Sequence, residues 1–102
     1  MTNENPITVN IDADLEDLIP QFMENTRNDI LSMNDAVAAN DLETVRRIGH
    51  SMKSYGIGYG FDHISTLGKT IENAATGGDA SLIHRTLEEM TSYLNKVKVI
   101  YD

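Results

Sequence analysis

The sequence predicts an all-α fold, an antiparallel four-helix bundle with a short N-terminal cover helix, on three observations. Apolar residues recur at spacings of three and four through four long segments. Between those segments lie short junctions, Asn40-Asp41, Gly56 to Gly60, and Gly77-Gly78-Asp79, whose residue types end one helix and start the next. No strand is expected. Helices joined this tightly run antiparallel.

In chain order, residues 1–10 are read as a flexible N-terminal segment. Asp12 or Asp14 can then cap a short cover helix to about Ile19, with acids in its first turn, where the macrodipole favours them. Pro20 suits the first turn of the next helix, whose stripe is Phe22, Thr26, Ile30, Met33 and Val37. Asn40 tolerates a left-handed helix end, and Asp41 can cap the following helix at once. That helix begins at Leu42, carries Val45, Ile48, Gly49, Met52 and Gly56 on one side, and loosens at the alternating glycines 56, 58 and 60. Asp62 is the expected cap of the next, with Ile64, Leu67, Gly68, Ile71 and Ala75 buried. Asp79 caps the last, whose stripe of Ile83, Leu87, Met90, Leu94, Val97 and Tyr101 reaches the end of the chain. The 102 residues support a single domain, 1–102, with one core.

Sixteen acids against eight bases leave a net charge of −8, which disfavours nucleic acid and anionic lipid surfaces. No apolar run is long enough to span a membrane, and residues 1–10 lack the basic and apolar parts of a secretory signal. With no cysteine there is neither disulfide nor thiolate metal site, in keeping with a cytoplasmic location.

The few bases are unevenly placed. Arg46, Arg47 and Lys53 fall within eight residues that also hold His50. At 100° per residue His50 lies opposite Val45, Gly49, Met52 and Gly56, with Arg46 one turn before it and Lys53 nearly one turn after. An exposed histidine among solvated bases ordinarily has no role. This patch makes sense if an anion visits it: a phosphoryl group would bring close to two negative charges and three acceptor oxygens, which Arg46 and Lys53 are placed to offset. A metal site built from His50, His63 and His84 is the rival reading. The three lie on separate helices outside the apolar stripes, and no Glu-x-x-His occurs, so neither metal nor cofactor is expected.

His50, Lys53 three residues on, small residues, and Gly60 ten positions after the histidine together resemble the histidine phosphotransfer (HPt) family. Asp41-Leu42-Glu43 and Arg46-Arg47-Ile48-Gly49 resemble the helix leading to that family's phosphorylated histidine, and Leu67-Gly68-Lys69-Thr70-Ile71-Glu72 the helix that follows. The resemblance implies a two-component phosphorelay protein that carries a phosphoryl group on His50 and exchanges it with the aspartate of a receiver domain. It implies attack through Nε2, Glu72 accepting from Nδ1, Lys53 neutralising phosphoryl oxygens, Arg46 as a weaker helper, and Lys69 as a further contributor. The ordinary reading of Glu72 and Lys69 is a surface ion pair of little worth.

Ser54 stands where the family often has glycine, and Tyr55 where it usually has a smaller residue. There is no ATP-binding glycine loop, so the protein would be a carrier without kinase activity of its own. Its partners would be a histidine kinase and the receiver of a response regulator or hybrid kinase, the receiver supplying Mg²⁺; the carrier itself is expected to be monomeric. Gly56, Ile57 and Tyr59, with Ile19 and Met23, are the expected docking residues. The alternative is an interaction module of the same fold that binds its partner without carrying phosphate.

Overall fold

The computed structural model describes residues 6–102. These run as β1 (Ile7–Ile11), a 3₁₀ helix (Ala13–Leu18), α1 (Ile19–Ala38), α2 (Leu42–Gly58), α3 (Asp62–Thr76), α4 (Ala80–Lys96) and β2 (Val97–Tyr101). The four α-helices form the expected bundle, each packed on its sequence neighbours, with α4 closing on α1. The 3₁₀ helix, capped by Asp12 through the Asp14 N–H, is the expected cover segment in a tighter form. No helix among the described residues is long and apolar enough to cross a membrane.

One turn design is used three times. After α1, α2 and α3 the chain places a left-handed residue, Asn40 (φ 58°), Gly60 (φ 89°) and Gly78 (φ 72°). The next N–H then reaches five residues back: Asp41 to Ala36 O at 2.7 Å, Phe61 to Gly56 O at 2.7 Å, Asp79 to Ala74 O at 2.8 Å. This closure satisfies the last carbonyls of one helix, and the donating residue is already the N-cap of the next. Asp41 and Asp79 accept from the Thr44 and Leu82 N–H groups, as expected. The middle junction differs. The N-cap is Phe61, not Asp62, and no side chain caps α3. Phe61 is instead fully buried and stacked on Phe22, with ring centroids 4.7 Å apart, so core packing stands in for the cap.

The apolar stripes fill one core. Val45, Gly49, Met52 and Gly56 are the buried residues of α2. Facing them are Ile64, Leu67, Gly68 and Ile71 of α3, Phe22, Ile30 and Met33 of α1, and Ile83, Leu87, Met90 and Leu94 of α4. The tightest seam lies between α2 and α3. A Cβ on Gly68 would stand 2.7 Å from the Lys53 backbone nitrogen and 2.9 Å from Gly49 O; one on Gly49 would stand 3.0 Å from the Glu72 nitrogen and 3.0 Å from Gly68 O. One on Gly56 would stand 2.6 Å from Ser65 Oγ. These glycines let the two backbones meet, and their cost in helix propensity, up to about 1 kcal/mol each, is what the contact requires.

The chain ends depart from the expected all-helical chain. β1 and β2 pair in parallel, with register from Ile7↔Val97 to Ile11↔Tyr101. Residues 7–10, expected to be flexible, are therefore strand; the first five residues of that expected segment lie outside the described residues. Val97 and Tyr101, read as the end of the α4 stripe, belong to β2. The side chains of Val9, Val97, Val99 and Tyr101 pack partly buried against the bundle core, and Ile11 is fully within it.

Two substitutions test the seam by thermal denaturation. Gly68→Ala should cost about 1–3 kcal/mol, the usual penalty of overpacking, and lower Tm by roughly 4–8 °C for each kcal/mol. Ser65→Ala should raise Tm, because the buried Ser65 hydroxyl has no hydrogen-bond partner among the described residues, and removing an unsatisfied group recovers about 1 kcal/mol or more.

Candidate functional site

His50 sits at mid-length on α2, opposite the four buried residues of that helix, with 58% of its side chain exposed. Glu72 comes from the neighbouring α3 and is far less exposed, at 17%. The glycine seam brings the two together. His50 Nδ1 lies 2.9 Å from Glu72 Oε2, and the Lys53 ammonium lies 3.2 Å from the other carboxylate oxygen. One carboxylate thus spans the histidine and the lysine one turn beyond it.

This geometry fixes the state of the ring. A carboxylate only accepts, so Nδ1 must donate; in the neutral imidazole the proton is on Nδ1 and the lone pair on Nε2. No described residue hydrogen-bonds Nε2, and more than half of the side chain is exposed. Burial alone would raise the Glu72 carboxyl. The hydrogen bonds and charges of Lys53 and His50 outweigh burial and hold it below its ordinary value of 4.5. The arrangement offers a nucleophilic nitrogen to solvent, with a fixed tautomer and a cation within one helical turn.

The other expected residues are less directly placed. Arg46 is held by Glu43 through two hydrogen bonds, Nε to Oε1 at 3.0 Å and an NH2 to Oε2 at 2.6 Å, and touches neither His50 nor Glu72. Lys69 is exposed on α3, one turn before Glu72, and forms no ion pair among the described residues. Ser54 donates weakly to His50 O at 3.4 Å, so its side chain lies back on its own helix. Ile57 follows His50 by seven residues, close to two full turns, on the same face, and is 63% exposed. Gly56 and Ile19, expected at a docking surface, are core residues, and Met23 packs against the core.

A shallow groove of about 250 Å³ beside α2, lined by Leu18, Phe22, Tyr55 and Tyr59 with Gln21 and Asn25, had not been foreseen. Its wall is held by Tyr55, whose hydroxyl donates to Asp29 Oδ2 at 2.8 Å and whose ring meets Phe22 edge-on. Burial, and then the Asp29 carboxylate, push that hydroxyl well above its usual range. The sequence signal for this wall is the pair Tyr55 and Tyr59, four residues apart on one helix face. His63 pairs with Glu89 at 3.4 Å and packs its ring, tilted by 51°, against Tyr93, while His84 lines a separate cleft between α1 and α4. Among the described residues no three His, Cys, Asp or Glu side chains gather as metal ligands would.

Residues 17–98 match the family model described as Hpt domain. The chain belongs to the Hpt domain family. Hpt domains perform histidine phosphotransfer in phosphorelays and interact with receiver domains and histidine kinases. The match contains all four helices of this Hpt domain, whereas β1 lies outside it and β2 mostly so. No curated protein and no solved structure matches the chain.

The Glu72 bridge also makes an acid-stability prediction. Because the folded pKa of Glu72 lies below its ordinary value, its contribution to stability is complete above about pH 4.5 and is lost as pH falls through the lower folded value. Urea unfolding at pH 7 and pH 3 should therefore show a smaller acid-induced loss for Glu72→Gln than for the wild type.

Proposed function

We propose that this Hpt domain carries a phosphoryl group on His50 Nε2 and exchanges it with the aspartate of a receiver domain in a two-component phosphorelay. The observation that carries this reading is the 2.9 Å contact between His50 Nδ1 and the Glu72 carboxylate, which leaves Nε2 as the exposed lone pair. The Nε2 lone pair attacks the phosphorus of the receiver's aspartyl phosphate. The N–P bond forms as the P–O bond to the aspartate breaks, and the aspartate leaves as a carboxylate. The ring keeps its Nδ1 proton throughout and becomes positively charged, and Glu72 offsets that charge. No proton has to move, so the same path runs in reverse.

Lys53 is the cation best placed for the phosphoryl oxygens, since its ammonium is already within one turn of the ring. Arg46 would have to leave Glu43 to assist, which makes it the weaker helper. Lys69 would add long-range positive potential. A divalent metal, Mg²⁺ in the usual case, would come with the receiver and neutralise the transferred group there. The exposed Ile57, two turns from His50, and the groove beside Tyr55 and Tyr59 would form the receiver's apolar footing. The protein would act in the cytoplasm as a monomeric carrier, loaded by a histidine kinase or by a receiver.

The reading is tested by incubating the wild type and His50→Gln with an aspartyl-phosphorylated receiver and Mg²⁺. Acid-labile, alkali-stable label should appear on the wild type alone. Label on both would assign the reaction to another histidine. A receiver that binds the wild type and never labels it would make the chain an interaction module. Lys53→Ala should still accept label, about tenfold more slowly, the equivalent of about 1.4 kcal/mol in the barrier. Ile57→Asp should raise the Kd for the receiver about tenfold while leaving the circular dichroism spectrum and Tm unchanged; a variant that unfolds would place Ile57 in the core.

A further inference from the structure

The ribbon made by the chain ends has an open side. Asp102 N–H donates to Ile11 O at 3.0 Å, so Ile11 turns its backbone toward β2. In a parallel ladder the N–H and C=O of alternate residues point to opposite sides. Val9 and Ile7 therefore also serve β2, and the N–H and C=O groups of Thr8 and Asn10 point away from it. A two-stranded sheet is marginal by itself, and such an edge is a template for another strand.

The outward side of β1 borders a groove of about 520 Å³, lined by Ile7, Thr8, Val9 and Asn10 and completed by Gly60, Asp62, His63 and Tyr93. Four consecutive strand residues take part. A groove over one face of the strand would meet only alternate residues, so this one runs along the edge. It is also acidic. Asp62 lines it, and Glu89 reaches His63 at its wall with 59% of its side chain exposed. Burial, and then the Asp62 carboxylate, push the Tyr93 hydroxyl above its usual range.

We propose that the β1 edge binds an extended, cationic segment of a partner protein as a third strand. Backbone hydrogen bonds from Thr8 and Asn10 hold it, the exposed Ile7 receives its apolar side chains, and Asp62 and Glu89 attract its lysine or arginine side chains. A second copy of the chain is disfavoured as the occupant. Pairing β1 with β1 would bring two acidic grooves together on molecules that each carry a net charge of −8. The site does not compete with His50, because α2 runs on for eight residues past His50, roughly 12 Å, before the turn that holds Gly60.

The probe is a capped hexapeptide of alternating lysine and valine, titrated into the full ¹⁵N-labelled chain and followed by amide shifts and hydrogen exchange. Binding should move the Thr8 and Asn10 amides and slow their exchange, and should weaken as salt is added. A peptide of alternating glutamate and valine should not bind. Thr8→Pro removes one outward N–H without touching the ladder to β2, and should weaken binding about tenfold at unchanged Tm. Asn10→Pro should do the same and serves if Thr8→Pro fails to fold. Asp62→Asn should weaken binding about threefold. No binding of the lysine peptide, equal binding of the glutamate peptide, or shifts confined to other elements overturns the proposal. Self-association of the wild type that Thr8→Pro abolishes also overturns it, in favour of a second copy.

Discussion

The close approach of α2 and α3 is the constraint on which the site depends. Gly49, Gly56 and Gly68 carry no side chain, and a methyl group at any of them would meet the facing helix at 3.0 Å or less. At that separation the Glu72 backbone lies directly beneath Gly49, and its side chain needs only its own length to reach the imidazole. N–H···O bonds weaken beyond about 3.2 Å. A seam held open by ordinary side chains would put the Glu72 carboxylate out of range of Nδ1 and free the ring to rotate and exchange tautomers. The glycines thus act on the chemistry through distance alone.

Within that frame the larger side chains around His50 are directed away from it. Ser54 turns back onto the carbonyl of His50, and Tyr55 is drawn toward α1 by Asp29 and Phe22. The face above the imidazole stays open although neither position holds the smaller residue usual for such a helix. The electrostatics follow the same economy. In a chain with twice as many acids as bases, one carboxylate is placed between the ring and Lys53, and Glu43, near the patch, is occupied by Arg46. The local field at His50 is therefore set by a few short contacts and not by the net charge.

Much of this was legible in the sequence because it rests on local rules. The helical wheel separates His50 from the four buried residues of α2, and the Asn-Asp and Gly-Asp junctions mark two of the three turns. The third was misread because Phe61 caps by burying itself, which depends on Phe22, 39 residues earlier in the sequence. Glu72 was placed beside His50 by family resemblance; the glycine contact that brings them together appears only in three dimensions. The ribbon was missed for a different reason. Leu94, Val97 and Tyr101 fit a helical stripe, while Val97, Val99 and Tyr101 fit a strand equally well, and five residues do not separate the two periods. Only the pairing of the two ends of the chain decides between them.

That pairing also has a mechanical side. β1 enters the fold at Ile7 and β2 leaves it at Tyr101, and because the strands are parallel these two points lie at opposite ends of the ribbon. Tension applied through the chain on either side of the fold would pull the strands past one another along their length. The rungs from Ile7 to Tyr101 would then be loaded together in shear, instead of opening one at a time as they would if the strands were peeled from one end. This short ribbon is thereby the first element to resist a pulling force. The helices behind it, joined by tight turns, would be shielded until the clamp slips.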